Sequence, residues 1–446
     1  MERSRLAALE ADHRRLTAFL RPIVSAGIAA VEPGQLILQA LDEQTKATLR
    51  AARTVSVVAA GKASATMWRS FLQHADVTVR EAIVSAPGEP GCLPGPAIHF
   101  RASHPVPDDR SVAAGLAALD LAARVPEDGV LVVLLSGGAS ALLAAPAPGL
   151  TMGDKGAVTR LLLSRGCAID GLNCVRRHLS RLKGGRLAAC CPGHVFTLAI
   201  SDVCVPVDDD PAVIGSGPTV PDPTTWADVL DVLIRHSCLD EVSPALRRIV
   251  DEGVRDGTDE TPKPGDVRLA RTEYRVIGSR AHAMEGARRE AERLGFATAV
   301  IDRATTGEAR VVAPRLMREM RRALEGRARP ACAIASGETT VVVRGKGRGG
   351  RNQELVLAAA ESLAGLPHPA AFASAGTDGV DGPTDAAGAV ADSTTLSRAA
   401  QRGIDPSVAL DENDSNRFFA RLDDLILTGS TGTNVGDLQV LLLGSL

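Results

Sequence analysis

Short apolar runs alternate with amphipathic stretches along most of the chain. Val55–Ala60, Glu81–Ala86, Ile98–Arg101, Val130–Leu135 and His194–Ile200 read as strands. Apolar residues recur at helical spacing after Gly61 to Leu72, from Asp109 to Ala123 and from Leu172 to Leu187. Thr151 and Asp154 have the spacing of a capping box that opens a helix to Arg165. Residues 5–31 also read as helical, with Pro22 kinking or splitting the stretch. Strands that are apolar throughout, rather than alternating, are covered on both faces. Their alternation with helices predicts a mostly parallel, doubly wound α/β sheet.

Residues 255–270 are polar and rich in Asp, Glu, Pro and Lys, which predicts a linker. A second alternation follows it. Tyr274–Gly278, Thr298–Asp302, Cys332–Ala335, Thr339–Arg344 and Ala370–Ala375 read as strands, and Arg280–Leu294, Glu308–Leu324 and Arg351–Leu363 as helices. The last strand, Gln439–Leu443, can add to either sheet. A chain of 446 residues exceeds one ordinary core. The expected division is 1–262 for a large doubly wound domain and 263–420 for a smaller α/β domain. No internal repeat is present.

Composition removes several function classes. The formal charge is −3 and aromatic residues make up 2%, so neither a basic nucleic-acid surface nor a base-stacking platform is expected. Apolar runs fall far short of the ~20 residues of a membrane span. The stretch Met1–Arg21 mixes acids and arginines and reads as an amphipathic helix, not a signal peptide. The eight cysteines have neither C-x-x-C nor zinc-ligand spacing, which fits reduced, packed thiols of a cytoplasmic protein.

The chemistry gathers where strands end. Five apolar strands are followed by Gly61-Lys62, Ser136-Gly137-Gly138, Ser201-Asp202, Ser336-Gly337-Glu338 and Gly376-Thr377-Asp378. Ligands of open α/β sheets bind beyond the carboxyl ends of strands, so the expected active site is a cleft between the two domains. Ser136–Ser140 and Gly345–Arg351 are glycine-rich and precede helices, a form suited to phosphate. The second loop also carries Lys346, Arg348 and Arg351. A flexible turn is the plainer reading of either loop. Lys62, an ordinary surface residue elsewhere, gains weight from its place after a strand. Asp202, Asp208–Asp210 and Asp378, Asp381 and Asp385 lie on acidic loops, which are either solvated turns or ligands of a Mg²⁺–nucleotide. His104, before Pro105, is either a turn residue or a substrate contact. The P-loop, the protein-kinase motifs and a well-formed G-x-G-x-x-G fingerprint are absent.

Taken in order, these motifs resemble the glycerate 2-kinase family, whose C-terminal domain is called MOFRL. The resemblance spans nearly the whole chain: Gly61-Lys62-Ala63-Ser64, His104–Asp108, Leu135–Leu143, Asn173–Arg186, Ile200–Val203, Ile214–Thr219, Ser336–Val341, Gly349–Glu354, Gly376–Gly379 and Thr431–Val435. It implies a Rossmann-like large domain to which residues 421–446 can return, and a smaller MOFRL domain. It implies phosphorylation of D-glycerate at its 2-hydroxyl by ATP with Mg²⁺. It places Lys62 and Arg351 in catalysis. A phosphoryl transfer built around them would use Asp202 and Asp378 as metal ligand or proton acceptor and Asp381 as a further metal ligand. Ser136, Gly137, Gly138, Ser140, His104, Lys183, Gly337, Glu338, Gly349, Gly350, Asn352 and Asn434 are then substrate or phosphate contacts. Arg351→Ala is expected to fold normally and lose most turnover. Two departures stand out: Cys204-Val205-Pro206-Val207 replaces a shorter glycine turn, and Ser430 stands where proline is common. The rival readings are an NAD(P)H-dependent hydroxypyruvate reductase, a kinase for another hydroxy acid and a non-catalytic nucleotide-binding module. Oligomeric state, monomer or dimer, is not legible.

Overall fold

The computed structural model describes residues 2–88 and 91–444, with side chains from Leu16 onward. The amphipathic pattern expected of residues 1–15 therefore lies outside the described side chains. The chain forms two compact units: Pro33–Ser201 with Asp209–Ile277, and Met1–Glu32 with Asp202–Asp208 and Gly278–Leu446.

The first unit is built on six strands: β1 (Val55–Ala60), β2 (Val79–Ala86), β3 (Ala97–Arg101), β4 (Val130–Leu135), β5 (His194–Ile200) and β6 (Thr272–Gly278), ordered β3-β2-β1-β4-β5-β6. The pairs among β1 to β5 are parallel. Every residue of β1 and β4 is buried, as the unbroken apolar run of β4 and the run of β1, interrupted only by Ser56, predict. Each buried Val or Leu contributes roughly 1.5–3 kcal/mol. From the central β1/β4 pair the chain proceeds to β2 on one side and to β5 on the other. The carboxyl ends of β1 and β4 therefore flank the topological switch point, where the two loops part and leave a crevice.

The second unit holds β7 (Ala297–Val300), β8 (Thr305–Glu308), β9 (Ala331–Thr340), β10 (Ala370–Gly376), β11 (Gly388–Asp392), β12 (Leu425–Ile426) and β13 (Asp437–Leu443). Its order is β12-β11-β10-β13-β9-β7, with β8 also on β9. β13 runs antiparallel to both β10 and β9, whereas β7 and β8 are parallel to β9. This sheet is mixed, not doubly wound throughout.

The division expected from the sequence differs from this one in several places, and Asp202–Asp208, expected within the large domain, belongs to the second unit. Residues 421–446 do not return to the first sheet: β13 is a fully buried strand at the centre of the second. The N-terminal helix Glu2–Ala29 runs through Pro22 and packs Leu20, Ile23 and Val24 against Met284, Ala287 and Leu438 of the second unit. A Cβ on Gly27 would lie 2.9 Å from the Ala283 carbonyl, and one on Gly286 2.8 Å from the Ala26 carbonyl, so glycine lets the two helices cross closely. β6, read as the first strand of the second domain, is the edge of the first sheet. The polar stretch 255–270 is no linker, because Thr261 is buried and donates to the buried Asp222 at 3.1 Å.

Two local readings also change. The expected helix Leu172–Leu187 ends at His178 and resumes only as Arg186–Ala189, and Gly184 and Gly185, at φ of 60° and 80°, keep the chain out of helical geometry just before Arg186. The two strands expected around Ser336-Gly337-Glu338 are one, and a Cβ on Gly337 would lie 2.3 Å from the Thr305 carbonyl oxygen of β8.

Candidate functional site

In the first unit the predicted residues Lys62, His104, Ser136, Gly137, Gly138, Ser140 and Lys183 come together at the switch point. The Lys62 amide donates to the Gly137 carbonyl at 2.9 Å, and the Ala63 amide to Ser136 Oγ at 3.0 Å. These bonds tie the turn after β1 to the turn after β4. They need glycine at position 61, where φ is 130° and a Cβ would fall 2.1 Å from Ser136 Oγ. Gly138, at φ 84°, lies against the His104 ring, since its Cβ would sit 2.8 Å from the imidazole Cδ2. Burial first, then the charge of Lys62, hold the His104 imidazolium below its ordinary value of 6.5. Lys62 itself is exposed.

Behind this loop Lys183 is buried and donates to the Ser140 carbonyl at 2.8 Å. Sequence reasoning missed two neighbours. Ser216 Oγ lies 3.1 Å from Ser140 Oγ; in the sequence it is marked only by its flanking Gly215 and Gly217. Lys155 is buried in the helix Met152–Ser164, and no sequence signal set it apart.

In the second unit a cavity of about 780 Å³ is walled by Glu338, Gly349, Gly350, Arg351, Asp378 and Asp381 among others. Arg351 opens the helix Arg351–Ala364. Its Nε and one terminal nitrogen donate to the two oxygens of Asp437 at 2.7 and 2.9 Å, and the other terminal nitrogen to Glu338 at 2.6 Å. Burial opposes the charge on Arg351, but Asp437 and Glu338 outweigh it and hold the guanidinium protonated. Asp437 is fully buried at the start of β13, opposite Gly337 of β9 and Gly376 of β10. The sequence reading overlooked it; the signal was an acid two residues ahead of Gln439 and the apolar run Val440–Leu443. Asp378 lies close by, for a Cβ on Gly376 would be 3.2 Å from Asp378 Oδ1 and 3.5 Å from Asp437 Oδ1. Asn434 donates to Asp202 at 3.4 Å.

Several expected contacts here turn out to be structural. The amides of Arg344, Gly345, Gly347 and Arg348 donate to Asn413, Glu412 and Asp414, so these groups in the 345–351 loop are already engaged with protein. Gly349 and Gly350 permit close packing: their Cβ atoms would meet Ser415 Oγ at 2.2 Å and Asp381 Cγ at 2.3 Å. Asn352 is buried, accepting from Ser374 and donating to Asp381, which gives it a packing role. Gly337 serves strand packing, as described above. Asp381 caps the helix, its oxygens taking the amides of Asn352 at 3.0 Å and Gln353 at 2.9 Å and the Gln353 side chain at 2.9 Å. A carboxylate so engaged does not fit a metal ligand. Asp208, in the other acidic loop, pairs with Arg280. Among the described residues no three of His, Cys, Asp and Glu converge as a metal cage. Asp378 and Asp202 remain compatible with a Mg²⁺ that takes most ligands from phosphate and water.

Burial pushes the Asp381 carboxyl up from 3.8 to about 6, against the amides that hold it down. The folded state therefore binds this proton more tightly than the unfolded chain, and ionisation at Asp381 opposes folding. Its contribution should fall by on the order of 3 kcal/mol as pH rises from about 4 to about 6. Urea unfolding of the wild type and Asp381→Asn across that range checks this. The wild-type stability minus that of the variant should decline with pH; a flat difference contradicts the assignment.

Comparison with known proteins gives a consistent picture. A family model described as a domain of unknown function (DUF4147) matches residues 19–251, and the MOFRL family model matches residues 331–437. The chain is 35% identical to the D-glycerate 2-kinase of Thermotoga maritima over 96% of its own length and 99% of the relative's. It is 33% identical to the glycerate 2-kinase of Pyrococcus horikoshii, covering 95% and 96%. It is also 38% identical to a putative hydroxypyruvate reductase of Agrobacterium vitis, covering 95% and 94%. The crystal structure of glycerate kinase from Thermotoga maritima superposes with a TM-score of 0.85 at 34% identity, covering 96% of this chain and 100% of that one. With both parts matched in order and relatives aligned end to end, the chain belongs to the glycerate 2-kinase family with a C-terminal MOFRL domain.

Proposed function

We propose that the protein phosphorylates D-glycerate at its 2-hydroxyl, with ATP as donor, to give 2-phosphoglycerate. The carrying observation is the switch-point cluster, where Lys62 stands beside the tied loops Gly61–Ser64 and Ser136–Ser140. An exposed cation beside a glycine turn at a strand's carboxyl end suits an anionic small molecule. Phosphoryl transfer asks mainly for positioning and charge neutralisation. Lys62 would neutralise charge on the reacting groups, and His104, kept largely neutral, would line the loop without adding a second full charge. In the second unit Asp378 and Asp202 would hold the Mg²⁺ of Mg–ATP. That ion would offset phosphate charge. Arg351, fixed by Asp437 on two nitrogens, would turn its third nitrogen from the exposed Glu338 to an anionic group.

The reductase reading draws on the name of the Agrobacterium relative. The turn after β1 speaks against it: Gly61-Lys62-Ala63-Ser64 is not the G-x-G-x-x-G needed to bring a pyrophosphate onto the first helix. A coupled assay of ADP release across small hydroxy acids, with phosphorus NMR on the product, tests the proposal. D-Glycerate should give the highest kcat/KM and a 2-phosphate. NADH oxidation with hydroxypyruvate, and no ADP from glycerate, would replace the kinase reading with the reductase.

A further inference from the structure

The turn after the helix Ile169–His178 carries Lys183 into the protein interior, behind the Ser136–Ser140 loop. Its Nζ meets both the carbonyl oxygen and the hydroxyl of Ser140. The Ser140 hydroxyl in turn lies 3.1 Å from Ser216 Oγ. Ser216 is buried and held at φ 62° between Gly215 and Gly217, and its carbonyl accepts the Gly184 amide at 3.1 Å. One line of polar atoms thus runs from the amine through Ser140 to Ser216. Of its members Ser140 is only partly buried.

The surroundings of Lys183 are cationic. Burial first, then the charges of Lys155 and Arg176, push its ammonium well below the ordinary lysine range. Lys155 is itself buried, and its Nζ has no hydrogen-bond partner within the described residues. A desolvated amine beside other cations loses its proton readily. In that state it donates to the Ser140 carbonyl and accepts from the Ser140 hydroxyl.

We infer that Lys183 is the proton acceptor of the phosphoryl transfer, working through the hydroxyl of Ser140, which Ser216 holds in line. The inference rests on the kinase reading. The acceptor hydroxyl gives its proton to Ser140 Oγ as the proton of Ser140 passes to Lys183 Nζ. The acceptor oxygen forms its bond to the γ-phosphorus, and the bond from that phosphorus to the β,γ-bridging oxygen breaks. ADP leaves with the electron pair, and the ammonium later returns its proton to water by the same route. Ser140 touches the substrate in this scheme. Lys183 acts through it, and Ser216 is a positioning residue.

The test uses the full-length enzyme with ATP and D-glycerate, read as kcat and KM between about pH 5 and pH 9. Lys183→Met should lower kcat by about 10²–10⁴ with little change in KM. Added primary amines should restore part of it, in order of basicity. Lys183→Cys alkylated to aminoethylcysteine should recover turnover, with the rising limb of the pH profile moved to lower pH because its amine is more acidic. Ser140→Ala should lose kcat without amine rescue; far-UV circular dichroism confirms that each variant folds. Wild-type kcat in Lys183→Met overturns the inference. So does a loss that no amine restores together with an unmoved pH limb, the pattern of a residue that only anchors the loop. A wild type that releases no ADP with glycerate overturns the kinase reading and the inference with it, and is recognised before any variant is made.

Discussion

Arg351→Ala should destabilise the second unit by about 3–5 kcal/mol besides abolishing turnover, because it strands a buried carboxylate. Asp437 is fully buried and receives two of the three guanidinium nitrogens. Without them its charge has no comparable partner inside the sheet among the described residues, since β13 places it between glycines of β9 and β10. The expectation from sequence alone, a normally folded and inactive variant, is therefore revised. Urea unfolding should show a markedly lower midpoint, and activity should stay low even where the variant is still folded. Arg351→Lys separates the two effects. It keeps a cation near Asp437 but cannot bond two oxygens in one plane, so it should recover part of the stability and little of the activity. An Arg351→Ala midpoint equal to that of the wild type would show that the pair carries no stability.

That revision marks where the sequence stopped being legible. Strands with predominantly apolar runs were readable to the residue: β1, β4 and β5 begin and end where the pattern does. The capping box at Thr151 and Asp154 was readable too, because it is local chemistry. Placement was not. β13 and the N-terminal helix join the second unit through contacts across hundreds of residues, such as Leu438 against Gly27, and no spacing rule carries that information. Glycines misled for a related reason. Gly345–Gly350 looks like a phosphate cradle, yet its glycines are required by the backbone of 412–415 and by Asp381. Glycine permits close approach of any backbone or ligand, and sequence does not say which. Buried partners of named residues were likewise invisible: Asp437 behind Arg351, and Ser216 and Lys155 behind Lys183. Each is an ordinary residue until the fold brings it within reach of a charged neighbour.

Lys62→Met should behave in the opposite way to Arg351→Ala, with a large loss of activity and almost none of stability. Lys62 is exposed, and its link to the Ser136–Ser140 loop is made by the backbone amide, which the substitution keeps. Exposed substitutions of this kind change stability by within about 0.5 kcal/mol. Removing a charge that acts on the transition state lowers kcat by about 10²–10³, by analogy with a lost oxyanion-hole donor. An effect confined to KM would instead mean that Lys62 binds ground state and transition state alike. A second reading is independent of turnover. The charge of Lys62 is one of the two causes, after burial, that hold the His104 imidazolium below its ordinary value. In Lys62→Met that contribution vanishes, so His104 should titrate at higher pH when its ring protons are followed by NMR. An unchanged His104 titration would place the Lys62 ammonium away from the Gly138 loop and remove it from the site. A raised one with full turnover would keep Lys62 at the loop and take it out of the chemistry.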